Sequence, residues 1–240
     1  GFAVMLPGFM TTDNLLNLVR SVSILGILGV AMGLVVIGRG IDLSLVATMA
    51  ISVAWTLQLA GSGVSLPQAI VLGLCFSLVV GMINGLLIAY VEIPAIFATL
   101  AMGIAVYGFG RYFLFTLDVI YMPDGAEALL WVGQGSLFGI PTPILAFVLV
   151  CAVAALFLRW TTYGRYLRAV GDNLPAARIT GIPARPIITL QYMISSLIGF
   201  AAGLVTSGSI ASMNTRVANS TMVYDIILVV VLGGIGLSGG

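Results

Sequence analysis

Apolar stretches as long as a bilayer is thick set the first limit on this chain. Six runs, at 21–38, 43–60, 69–91, 93–110, 141–158 and 187–208, are long enough to cross hydrocarbon, and a seventh starts near Asp225 and runs to the end. A run of about 18 apolar residues reads as a spanning helix, because a helix of that length nearly covers the ~30 Å apolar core while satisfying its own backbone hydrogen bonds. The runs are continuous rather than alternating, so they do not read as barrel strands. Composition agrees, since 60% of the 240 residues are hydrophobic and 7% are charged, where soluble domains carry about 25% charged residues. The expected fold is an all-α polytopic membrane helix bundle, a single transmembrane domain over 1–240 with about seven spans.

Two absences narrow the chemistry. The chain has no His, and all nine of its basic residues are Arg. Without Lys it has no phosphate-binding P-loop and no Schiff-base nucleophile, and without His it has no histidine triad or histidine metal site. No catalytic residue, metal or cofactor is expected, and any energy coupled to transport would come from another subunit. A net charge of +1 implies no nucleic-acid partner. Cys75 and Cys151 lie inside apolar runs and read as small hydrophobic filler.

Arginine placement sets the orientation. Five of the nine fall between Arg159 and Arg185, with Asp172 the only acid among them. The positive-inside rule makes 159–186 cytoplasmic. Alternation then puts 39–42 and 92–94 inside, and 61–68, 111–140 and 214–225 outside. Residues 11–20 also fall outside, which calls for a further helix before Gly1 if the N-terminus is cytoplasmic. Residues 1–9 read as the tail of such a helix, and the chain closes on Gly239-Gly240 within a glycine-rich stretch, so the protein is expected to extend at both ends. The pairs Gly29/Gly33, Gly81/Gly85 and Gly199/Gly203 have the spacing that lets helix backbones approach closely in lipid.

Polar groups inside the apolar runs are the candidate site. Residues 38–44, Gly-Arg-Gly-Ile-Asp-Leu-Ser, interrupt the first long apolar stretch. They read either as a tight cytoplasmic turn, or as a broken helix whose unwound backbone faces a polar solute. Arg39 and Asp42 are three apart and would pair if the segment were helical. Asn84 needs partners for its amide, from another helix or from substrate. Asp225 sits at a helix start, where an acid complements the helix dipole. Gly40, Asp42, Ser44, Asn84 and Asp225 are the candidate translocation-pathway residues. A weak echo of 38–44 occurs at 233–238, Gly-Gly-Ile-Gly-Leu-Ser.

The inner loop is longer than joining two spans requires. Asp172 or Asn173 suits an N-cap, Pro175 a first turn and Ala176-Ala177-Arg178 a short helix; Gly181 suits its C-terminal position, and Pro183 and Pro186 bar continuation. This pattern reads as a short helix outside the membrane, suited to docking a cytoplasmic partner.

Four stretches resemble one family, the ribose-type sugar ABC transporter permeases. Residues 38–44 resemble that family's Gly-Gly-Ile-Asp-Leu-Ser motif, with Arg39 standing where the motif has Gly. Ile83-Asn-Gly-Leu-Leu87 followed by Ile93-Pro-Ala-Ile-Phe-Ala-Thr-Leu100 resembles a second motif. Thr162-Tyr-Gly-Arg165, Ala169-Val-Gly171, Asn173 to Arg178 and Thr180-Gly-Ile182 resemble the inner-loop signature. Residues 232–240 resemble the glycine-rich motif, with Ile235-Gly236 in place of its usual pair. The resemblance implies an importer subunit with about ten spans in the full protein, residing in the bacterial inner membrane. It implies a second permease subunit, identical or paralogous, an ABC ATPase subunit inside and a periplasmic solute-binding protein outside. It identifies the inner-loop signature with a coupling helix, carried here by Arg165, Gly171, Asn173, Ala176, Ala177, Arg178 and Gly181. Two other readings compete. A branched-chain amino-acid permease would use paired charges for a zwitterion, and Arg39 with Asp42 offers such a pair. An ion-coupled secondary transporter would need several acids mid-span, where this chain offers only Asp42 and Asp225.

Overall fold

The computed structural model describes residues 11–234. In chain order the helices are α1 (Thr12–Ile37), α2 (Leu45–Gly61), α3 (Leu66–Ala89), α4 (Ala95–Phe109), α5 (Glu127–Gln134), α6 (Thr142–Trp160), α7 (Thr162–Asp172), α8 (Leu174–Ile179), α9 (Ala184–Ile210) and α10 (Met222–Leu232). A π-helical turn, Gly110–Leu114, prolongs α4, and Thr215–Asn219 forms a 3-10 turn before α10. Among the described residues, strands occur only between helices and are short: β1 (Val119–Tyr121), β2 (Ser136–Leu137), β3 (Ile140–Pro141) and β4 (Ser212–Asn214). β1 pairs antiparallel with β4, with Ile120 opposite Met213, and β2 with β3 as a small hairpin.

Each of the first six sequence-predicted spans falls on a helix, and the described part of the seventh begins on α10. Among the described residues five helices are long and apolar enough to cross a membrane, within α1, α3, α4 with its π turn, α6 and α9; α2 and α10 are shorter apolar helices of 17 and 11 residues. Three expectations need correction. Residues 12–20, expected as an outer loop, are the first turns of α1, because a helix need not stop where its apolar stretch does. The inner loop holds two helices rather than one, since α7 precedes the expected short helix. Pro186 does not stop a helix but lies in the first turn of α9, where no intrahelical N–H is required. The calls on residues 1–9 and on the stretch after Gly234, including the motif ending at Gly240, lie outside the described residues.

The core is organised around α9. Its glycine-facing neighbour is α3: a Cβ at Gly81 would lie 2.6 Å from the Tyr192 carbonyl and 2.9 Å from Met193 Cα, and one at Gly85 would strike the Thr189 backbone. Close approach of this kind substitutes dispersion and weak polar contacts for a hydrophobic drive that lipid does not provide. α1 closes another side, with Leu28, Met32 and Leu45 of α2 in one apolar cluster with Ile198 and Ala202. α6 is the most peripheral span, only 11% buried over its apolar window.

The connections gather at two ends. At the arginine-rich end, the α1–α2 turn, the turn after α3 and the α7–α8 segment touch one another, through Arg39 and the Asp172 carbonyl and through Arg178 and Glu92. At the opposite end, β1 and β4 pair, and Asp118 takes both Arg111 and Arg216. Thr215 also donates its N–H and hydroxyl to the Asp118 carbonyl, at 2.8 and 3.0 Å. This is the grouping of loops that alternation of the spans requires.

Candidate functional site

The interruption at 38–44 is a recessed turn, not a surface loop. α1 ends at Ile37, Arg39 takes the left-handed conformation with φ +62°, and α2 begins at Leu45. A left-handed residue reverses the chain in little space, which is why glycine is the usual occupant of such a position. Gly40 is held just as tightly: a Cβ there would strike the Tyr192 hydroxyl and lie 2.8 Å from Val35 Cγ1. Asp42 and Ser44 behind it are wholly buried. Ser195, which Asp42 touches, lies eleven residues into α9, about 16 Å along its axis at the α-helical rise.

Four helices converge on this turn through hydrogen bonds. Asp42 Oδ1 accepts from the Ser44 hydroxyl at 2.6 Å and from its backbone N–H at 3.1 Å, and Asp42 Oδ2 accepts from the Ser195 hydroxyl at 3.2 Å. Asn84 of α3 donates its Nδ2 to Ser44 Oγ at 2.8 Å. Thr99 of α4 accepts from the Leu43 N–H at 3.1 Å. Unwound backbone inside a bundle must find such partners, because the surrounding apolar medium supplies none. The structure therefore brings together Gly40, Asp42, Ser44 and Asn84. It does not bring Asp225 to them, since that residue is exposed in the first turn of α10. The expected Arg39–Asp42 pair is absent. Left-handed backbone at Arg39 turns its side chain away, and Nη2 donates instead to the Asp172 carbonyl at 2.9 Å, at the C-terminus of α7. There the helix dipole favours a cation.

Several buried polar side chains beside the turn were not singled out in the sequence. Thr48, Ser52 and Thr56 of α2 continue at four-residue intervals from Ser44, the residue already named at its N-cap, and all four are buried. That spacing was a readable signal: a hydroxyl ladder about 18 Å long at the α-helical rise. Ser52 and Thr56 satisfy themselves on carbonyls one turn back. Gln191 and Tyr192 gave no local signal, because their surroundings come from helices far away in sequence.

The arginine-rich end carries the predicted coupling residues. Thr161 caps α7 by accepting the Gly164 N–H at 3.1 Å, and Asn173 caps α8 by accepting the Ala176 N–H at 3.0 Å. Gly181 has φ +81°, the conformation that ends the α8 turn. Ala177 faces inward, while Arg165, Ala176 and Arg178 are exposed. Beside them Ile179 is 87% exposed. Gly171 is buried against the end of α1, where a Cβ would overlap the Ile37 carbonyl. Arg178 and Arg185 flank Glu92 at 3.6 and 3.9 Å, and Arg185 lies 5.4 Å over the Tyr90 ring. These exposed pairs contribute at most about 1 kcal/mol each and serve to place α8 beside the turn after α3.

A many-helix apolar bundle with a hydrogen-bonded, unwound turn recessed into it defines a polytopic membrane protein of the transporter kind. The sequence pattern described as branched-chain amino acid transport system / permease component matches residues 14–239, so the chain belongs to this family of transport permeases. It is 35% identical over 232 residues to the galactofuranose transporter permease protein of Escherichia coli strain K12, covering 97% of this chain and 66% of that one. It is 31% identical over 235 residues to the ribose import permease protein of the same strain, covering 98% and 73%. It is 33% identical over 245 residues to the ribose import permease protein of Bacillus subtilis, covering 99% and 73%. The chain thus spans roughly two thirds to three quarters of the length of these relatives. No solved structure matches.

Proposed function

We propose that this chain is the membrane-spanning permease subunit of an ATP-driven importer for a sugar or sugar-like solute. The arginine-rich end faces the cytoplasm, where a partner ABC ATPase hydrolyses ATP, and the β1–β4 end faces the periplasm and its solute-binding protein. A second permease subunit completes the pathway in the bacterial inner membrane. Gly40, Asp42, Ser44 and Asn84 belong to the part of the bundle that changes as solute passes. The carrying observation is the direct packing of α7 on the recessed turn, through Gly171 on Ile37 and Arg39 on the Asp172 carbonyl. A partner that pulls on α7–α8 thereby moves the turn.

The sugar permeases among the relatives favour sugar over amino acid. The charge pair that a zwitterion would use is also not formed, since Arg39 and Asp42 have other partners. The test is uptake into proteoliposomes holding the full-length permease, its ATPase and its binding protein. Labelled ribose or galactose is expected to accumulate with ATP and not without it, and labelled leucine in neither case. Leucine accumulation alone, or ATP-independent uptake, would overturn the reading.

A further inference from the structure

The corner where α6 meets α7 carries three arginines and no acid. No Asp or Glu lies between Glu127 and Asp172, a stretch that holds Arg159, Arg165 and Arg168. All three are exposed, and among the described residues none of them takes part in an ion pair. Their side-chain bonds are local. Arg165 Nη2 donates to Thr162 Oγ1 at 3.1 Å, and Arg168 Nη2 donates to the Leu158 carbonyl at 2.9 Å, which draws it back to the end of α6 beside Arg159. Only Thr161 separates the two helices, and a Cβ at Gly164 would strike the Leu158 backbone. α6 has 19 residues, about 28 Å at the α-helical rise, so it just crosses the ~30 Å apolar core. Arg159 and Trp160 therefore stand at the membrane edge, and the tight joint holds the first turns of α7 at the same level. Thr162, Arg165 and Arg168 share its exposed face, while Gly164, Leu167 and Val170 are buried against the bundle.

An apolar surface leads into this corner. Leu149, Val153, Leu156 and Trp160 are all exposed, at spacings of four, three and four residues, so they form one stripe along α6. Leu149 and Val153 also edge a groove of about 380 Å³ between α1, α6 and α9, and every side chain that lines it is apolar. Trp160, 72% exposed at the end of the stripe, has the amphipathic ring that settles at headgroup level. One ligand offers both an apolar chain for the stripe and an anion for the arginines. Guanidinium groups match phosphate oxygens with paired N–H donors and are weakly hydrated for a cation. A soluble anion would leave the stripe unused, and another apolar helix would leave three cations without a counter-charge. We infer that this corner binds an anionic glycerophospholipid of the cytoplasmic leaflet, its phosphate among Arg159, Arg165 and Arg168 and an acyl chain along the Leu149–Trp160 stripe. Since α7 also packs on the recessed turn through Gly171, a lipid held here steadies the joint between a lipid-facing span and the moving part of the bundle. The inference needs the arginine-rich end to face the cytoplasm and does not depend on which solute is carried.

The test uses the full-length permease in vesicles of phosphatidylcholine with a minority of phosphatidylglycerol, only one of the two lipids carrying brominated chains. Bromine quenches an indole on contact, and the Trp160 signal is the difference between wild type and Trp160→Phe. Phosphatidylglycerol is expected to be preferred over phosphatidylcholine beside Trp160 by about tenfold or more, from three arginines near one anionic headgroup. Arg159→Gln is expected to lower that preference about fivefold, the share of one arginine, and Arg159→Lys to keep most of it. Unchanged quenching by brominated phosphatidylcholine identifies variants that remain folded. Inorganic phosphate, at ionic strength matched with chloride, is expected to leave the preference intact; its loss would mean a soluble-anion site and overturn the lipid. Equal quenching by the two brominated lipids would overturn the site, as would a preference that survives Arg159→Gln combined with Arg168→Gln. Absence of quenching by either lipid would show that another span or subunit covers the stripe, and would overturn it too.

Discussion

Arg39 occupies a backbone conformation that suits glycine, at φ +62°, and offsets the strain with a hydrogen bond to the last carbonyl of α7. These two effects separate by substitution. Arg39→Gly removes the bond and the strain together, whereas Arg39→Ala removes the bond and keeps a Cβ in the left-handed region, which costs about 1–2 kcal/mol. Arg39→Gly is therefore expected to leave the purified protein more stable than Arg39→Ala by about 1 kcal/mol, read as a higher midpoint in thermal or denaturant unfolding. Equal stabilities would show that the turn relaxes to accept any residue. The same residue shows where sequence reading stops. Local spacing pointed Arg39 at Asp42, three positions away, but the backbone conformation aims it at a carbonyl 133 positions along the chain. Asp42 finds Ser195 across a comparable distance, 153 positions, and no local pattern announces either partner.

The elements were more legible than their contacts. Span positions follow from run length, and the α8 cap follows from Asn173 standing three residues before Ala176, the geometry the structure shows at 3.0 Å. α7 was missed because an amphipathic surface helix with two glycines lacks the continuous apolar signal of a span. The glycine pairs were legible as packing sites but not in their ranking. At Gly85 an added Cβ meets the backbone of α9, while at Gly29 it meets only a Val229 methyl at 3.3 Å. Backbone cannot step aside and a side chain can. Gly85→Ala is expected to destabilise the bundle by about 1–3 kcal/mol and Gly29→Ala by well under 1 kcal/mol, measured by unfolding in detergent. The reverse order would mean that α3 and α9 are not locked together. For α8, Asn173→Ala is expected to cost about 1 kcal/mol of local helix stability, and Asn173→Asp to restore most of it. Hydrogen exchange at Ala176 and Ala177 reads this directly, and unchanged protection in the alanine variant would exclude the cap.

Across the whole molecule, α9 joins the two ends. Near its start, Gln191, Tyr192 and Ser195 surround the recessed turn. Near its finish, the Ser209 hydroxyl reaches the Gly133 carbonyl of α5 at 3.1 Å, and the chain passes directly into β4. A displacement at the arginine-rich end has a rigid element to carry it across the bundle. The joint where that displacement enters is Gly171, packed on the end of α1, and it provides the sharpest test of transmission. Gly171→Ala adds one methyl that overlaps the Ile37 carbonyl and forces α7 away from the turn, while leaving the outward-facing surface of α8, with Arg178 and Ile179, unaltered. Overpacking at such a site costs about 1–3 kcal/mol, enough to shift a two-state coupling by about tenfold or more. The expected phenotype is separation of two activities in the reconstituted complex: the ATPase still assembles and hydrolyses ATP, but sugar uptake per ATP falls about tenfold. Arg178→Glu should behave differently, weakening assembly itself, because it reverses a charge on the exposed face. If Gly171→Ala abolished assembly, α7 would belong to the docking surface; if it changed nothing, the turn and α7 would move independently and force would have to reach the bundle through α8 and Glu92 instead.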